Sequence, residues 1–156
     1  MAGPTIAICS SANFYEQVNE ISDRLAEKGF SVVVPLTANI MRENGDYDVS
    51  HYRTWLSDDS KYDRKTYLMK HHFAKVAESD AILVVNNEKH GVPNYVGGNV
   101  LMEMALAMHL DKPIFLLNEI PTQSNFLEEI IGLGPIVLHG ELSRLAEYFN
   151  NDLAPA

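Results

Sequence analysis

The stretch Ala81-Ile-Leu-Val-Val85, a polar loop from Asn86 to Asn94, Gly97-Gly98-Asn99, then Val100-Leu-Met-Glu-Met-Ala-Leu-Ala-Met-His-Leu110 and Pro113-Ile-Phe-Leu-Leu117 decides the fold. A short, uniformly apolar run is the signature of a strand buried on both faces, and the longer apolar run after the Gly-Gly turn has helix length. Strand, helix and strand in that order make a βαβ unit, whose parallel strands need a covering helix on each face of the sheet. Upstream, Thr5 to Cys9 reads as a strand, and Glu16 to Lys28 carries Val18, Ile21, Leu25 and Ala26 at helical spacing before a Gly29 stop. Phe30 to Val34 is a second strand ended by Pro35, and Arg64 to Ala77 a helix. Downstream, Asn125 to Ile131 reads as a short helix, Ile136 to Leu138 as a strand and Leu142 to Phe149 as a closing helix, with a loose tail beyond. The expectation is an α/β three-layer sandwich with a mostly parallel five-stranded sheet, flavodoxin-like or Rossmann-like, in one domain over residues 1–156. From Leu36 to Asp63 no period is sustained, so this segment reads as a long loop holding one short helix at most.

Composition narrows the function. The chain sets 12 Lys and Arg against 21 Asp and Glu, a net charge of -9, which opposes binding to a nucleic-acid polymer or an anionic membrane. Apolar runs stay far below the roughly 20 residues of a bilayer span, and MAGPTIAICS has neither the basic start nor the long apolar core of a secretory leader, so a cytoplasmic protein is expected. Cys9 is the single cysteine, and neither it nor the six His falls in CxxC or HExxH spacing, so no metal is expected. GxGxxG and GxxxxGK[ST] are absent as well, and no cofactor is expected.

In sheets of this kind ligands bind beyond the carboxyl ends of the strands. The residues there are Ser10 and Ser11 after the first strand, Asn86 and Asn87 after the third, and Asn118-Glu119 after the fourth. Such short polar groups suit a neutral or phosphorylated small molecule, although each also serves turns and helix caps. Glu103 is sharper, because with His109 it is the sole polar residue of a run that should be buried. A capping box does not explain it, since Val100 stands where a Ser or Thr would be needed. A carboxylate just inside a Gly-Gly-led helix points into the expected crevice. Tyr47, His51, Tyr52, Arg53, Trp55, Lys61, Arg64 and Lys65 have the chemistry to stack on a base and pair with a phosphate, but the favoured reading is a loop packed over the core or over a partner subunit.

The run Ser79-Asp80-Ala-Ile-Leu-Val-Val85, Gly97-Gly98-Asn99-Val-Leu-Met-Glu103-Met-Ala-Leu-Ala107 and Asp111-Lys-Pro113-Ile-Phe-Leu-Leu117 resembles the nucleoside 2-deoxyribosyltransferase superfamily, including its nucleotide N-hydrolase branch. The resemblance implies cleavage or transfer of the N-glycosidic bond of a nucleoside or nucleoside 5′-phosphate, with Glu103 as nucleophile at the anomeric carbon. It implies substrate contacts from Ser10, Ser11, Gly97 and Gly98, and a homo-oligomer. Where family members carry an Asp, this chain has His72, the implied acid for the leaving base. Asn86, Asn87 and Asn99 complete the expected substrate contacts. The alternatives are a non-catalytic nucleotide or nucleotide-sugar sensor, in which Glu103 grips ribose hydroxyls, and an interaction module with Met102, Met104 and Met108 as an interface or core stripe.

Overall fold

The computed structural model describes residues 3–153, and the expected tail beyond them lies outside it. Its strands are β1 (Thr5–Ser10), β2 (Ser31–Val33), β3 (Ala81–Val85), β4 (Ile114–Leu116) and β5 (Ile136–Val137). They form one sheet in the order β2-β1-β3-β4-β5, every pair parallel, as expected of a flavodoxin-like sandwich. The helices are α1 (Tyr15–Glu27), α2 (Leu36–Asn44), α3 (Tyr62–Glu78), α4 (Gly98–His109), α5 (Leu127–Gly132) and α6 (Ser143–Leu153).

Alternation along the strands builds two cores. Ile6, Ile8, Leu83, Val85, Phe115 and Leu117 meet Val18, Ile21 and Leu25 of α1 and Leu145 of α6. Ala7, Cys9, Ile82, Val84, Ile114 and Leu116 meet Val76 of α3, Val100, Met104 and Ala107 of α4, and Ile130 of α5. Burial on both faces is what the unbroken apolar run of β3 anticipates.

The segment from Leu36 to Asp63 holds the one short helix that the sequence reading allowed without placing it. Its first third is α2, followed by three short 3-10 turns at Val49–His51, Thr54–Leu56 and Asp59–Lys61. Pro35 occupies the N-cap, Gly45 closes the helix with φ 63°, and the buried face is Thr37, Ala38 and Met41. One large apolar residue in that face is too little signal for a helical period, so the pattern fails where the helix forms.

The order of the strands places a switch point between β1 and β3, because chain connections leave these two neighbours toward opposite faces of the sheet. Ser10, the last residue of β1, pairs with Val85, the last of β3. The loops beyond them open the crevice.

Candidate functional site

A cleft of about 210 Å³ lies at this switch point. Ser10, Ser11, Gly97, Gly98, Asn99, Glu103 and His72 all line it. Gly98 has open space where a Cβ would project, so backbone is presented bare to the cleft. Asn86 and Asn87 do not line it, which corrects the expectation for both. Asn86 is fully buried: its Oδ1 accepts the Asn118 N–H, its Nδ2 donates to the Glu119 carbonyl, and Asn118 Nδ2 donates to the Asn86 carbonyl and to Asn87 Oδ1. The two side chains fasten the ends of β3 and β4 together.

Glu103 sits on the buried face of α4 with 3% of its surface exposed. Desolvation raises its carboxyl pKa to about 7, offset in part by the Cys9 thiol, Lys65 and Asn99. Asn99, one turn earlier, donates from Nδ2 to Glu103 Oε1 at 2.7 Å, while Oε2 is buried without a hydrogen-bond partner. His72 reaches the same place from α3. Its Nε2 lies 2.9 Å from the Ile8 carbonyl, 3.7 Å from Cys9 Sγ and 3.9 Å from Glu103 Oε2. Ile8 stands one residue past the last β1–β2 pair, Ala7 with Val33, so the imidazole N–H satisfies a carbonyl that the sheet leaves behind. Burial lowers the His72 pKa to about 4, the Ile8 bond opposing and His71 adding to the shift. The ring is therefore neutral near pH 7, and its approach to Glu103 is not an ion pair.

Above this buried floor the rim is cationic. Arg53, from the turn region after α2, lines the cleft beside Trp55, Tyr52, Lys65 and Lys89. Lys65 lies 5.6 Å from the centre of the Trp55 ring and donates to Asn99 Oδ1. Lys89 lies 4.6 Å from the centre of the Tyr95 ring and donates to Ser11 Oγ at 3.0 Å, bridging the loops that follow β3 and β1. Among the described residues none of the three cations forms a salt bridge. Desolvation lowers the pKa of both lysines and repulsion from Arg53 lowers it further, with Glu103 opposing at Lys65. Tyr52, Arg53, Trp55 and Lys65 thus belong to the site, contrary to the favoured reading of that segment as packing alone. The mixture of aromatic and basic residues was the signal.

No family model matches the chain, and no curated protein does. Among solved structures, FerB, a flavoenzyme NAD(P)H:(acceptor) oxidoreductase from Paracoccus denitrificans, is similar at 13% identity and a TM-score of 0.44, the match covering 86% of this chain and 75% of that one. A likeness at that level assigns this chain no activity.

The expected cleavage or transfer of an N-glycosidic bond is corrected. The site itself removes the acid that the mechanism needs: His72 is neutral, buried, and already donating its Nε2 proton to Ile8. With a pKa of about 7, Glu103 is also protonated in a large fraction of molecules at neutral pH, which weakens it as a nucleophile.

Proposed function

We propose that this cleft is the substrate site of an enzyme acting on a small molecule of the nucleotide class, an aromatic ring carrying a phosphomonoester. The observation that carries the reading is the convergence of Arg53, Lys65 and Lys89 on one cleft, none of them in a salt bridge among the described residues and Arg53 repelling both lysines, in a chain of net charge -9. Cations held together with only the part-ionised Glu103 as counter-charge lower their energy when a dianion enters, and a partly desolvated setting strengthens each contact. Trp55, Tyr52 and Tyr95 supply ring faces beside those charges, and Ser10, Ser11 and Asn99 supply hydrogen bonds. Support for catalysis is the cluster of Glu103, His72 and Cys9 under the rim, whose protonation is shifted by burial next to a cleft. We place the protein in the cytoplasm, where a lone thiol such as Cys9 stays reduced, and as a homo-oligomer, since Met102, Met108 and Leu110 are exposed at α4.

The test is thermal unfolding with a panel of nucleosides, their 5′-monophosphates, flavin mononucleotide as a second ring–polyol–phosphate, and inorganic phosphate. Ligand at about 100 times its Kd adds about 2.7 kcal/mol of stability, a shift of several degrees at this chain length. The expected outcome is stabilisation by at least one phosphorylated member and much less by its parent without phosphate. Equal shifts for both, or none for any member, contradict the reading.

A further inference from the structure

Three metal-ligating side chains from three different elements meet beneath the cleft: Cys9 of β1, His72 of α3 and Glu103 of α4, all buried. Their Sγ, Nε2 and carboxylate oxygen lie within 4.8 Å of one another. We propose that Cys9, His72 and Glu103 form a binding site for a divalent metal ion of borderline softness, zinc foremost, with a coordination position left for a molecule in the cleft.

Geometry supports it first. A tetrahedral ion with bonds of about 2.3 Å to sulfur and about 2.0 Å to nitrogen or oxygen separates its ligand atoms by roughly 3.3 to 3.6 Å. Sγ to Nε2 is 3.7 Å, Nε2 to Oε2 is 3.9 Å and the three donor atoms all lie within 4.8 Å of one another, so side-chain shifts of up to roughly an ångström bring the set onto an ion. The second support is Glu103 Oε2, a buried oxygen with no hydrogen-bond partner, turned toward the other two donors while Asn99 holds Oε1. A ligating carboxylate is commonly oriented by such an outer hydrogen bond. Donor chemistry selects the ion, because a thiolate, an imidazole and a carboxylate suit zinc and its neighbours, whereas magnesium and calcium take oxygen sets. His72 and Glu103 also line the cleft, which gives the ion an entry path and leaves three protein ligands plus one open position, the pattern of catalytic zinc sites.

Binding needs one exchange. The Nε2 lone pair goes to the ion, the ring proton moves to Nδ1, which has no partner now, and the Ile8 carbonyl loses its donor. The Cys9 thiol proton, and the Glu103 proton where it is carried, leave to water. Coordination by three side chains replaces that one buried hydrogen bond.

Cobalt(II) titration of the chelator-treated, full-length chain in phosphate-free buffer, with no nucleotide present, tests the site independently of the ligand proposed above. The expected result is one equivalent bound, with visible bands of a tetrahedral ion and a near-ultraviolet sulfur-to-cobalt charge-transfer band, all displaced by zinc. Cys9→Ser should remove the charge-transfer band and Glu103→Gln should weaken binding at least tenfold. His51→Ala, which disrupts the exposed His51, Asp46 and Asp48 cluster instead, should change neither. If Cys9→Ser does not fold, Glu103→Gln decides. Absence of the bands in the natural chain, their persistence in Cys9→Ser, a Glu103→Gln chain that binds as tightly as the natural one, or loss of the bands in His51→Ala overturns the proposal.

Discussion

Burial pushes Glu103 and His72 toward their neutral forms, yet the two drive stability in opposite directions with pH. The folded-state pKa of Glu103, about 7, lies above the ordinary 4.5, so its neutral form favours the fold at low pH and that contribution is lost as pH rises toward 7. The folded-state pKa of His72, about 4, lies below the ordinary 6.5, so stability grows as pH rises from 4 to 6.5. Urea unfolding of the natural chain and Glu103→Gln, both in chelator, separates the two. The stability difference between them should be small near pH 4 and grow to on the order of 3 kcal/mol in favour of the variant by pH 8. A difference that stays constant with pH would mean that Glu103 titrates as an ordinary carboxyl. Glu103 was legible in the sequence because a lone acid in an apolar run has few bland explanations. Asn86 and Asn87 were misread because an Asn beyond a strand end looks the same whether it binds ligand or fastens a loop. Cys9 as a neighbour of His72 and Glu103 was not legible at all: 63 residues separate it from His72, and only the packing of α3 and α4 on one face of the sheet joins them.

At the scale of elements, the strands and the helices α1, α4 and α6 were legible because each carries several apolar residues at the right period. Helix α2 was not, since Thr37 and Ala38 fill most of its buried face. The seam between β3 and β4 shows how polar side chains complete a parallel sheet: Asn86 closes the ladder where both strands end. Asn86→Ala leaves the Asn118 N–H and the Glu119 carbonyl without these partners, and the expected loss is about 3 kcal/mol in urea unfolding. Because the seam lies outside the cleft, ligand affinity in the folded variant should be nearly unchanged. A cost below about 0.5 kcal/mol would show that water replaces the side chain without penalty.

For the molecule as a whole, the acidic surface and the cationic cleft belong together. Net charge of -9 repels anions at long range, while Arg53, Lys65 and Lys89 attract them within roughly a Debye length, about 8 Å at physiological salt. A reading from overall charge therefore misses the local field, which depends on where the fold brings three cations that are distant in sequence. The exposed Met102, Met108 and Leu110 add an expectation at the same scale: light scattering should give a mass of two chains or more, reduced by Met102→Glu or Met108→Glu, and a monomeric natural chain would remove that part of the account. Arg53 carries the central claim. It pairs with no acid among the described residues and repels both lysines, so Arg53→Ala should leave thermal stability unchanged or slightly raised. The most direct measurement is calorimetric titration of the natural chain and Arg53→Ala with the best 5′-monophosphate of the panel and with its parent nucleoside. The account expects the phosphate to improve affinity for the natural chain at least tenfold and Arg53→Ala to erase most of that gain. Equal affinities for the nucleoside and its phosphate, or a gain that survives in Arg53→Ala, would contradict it.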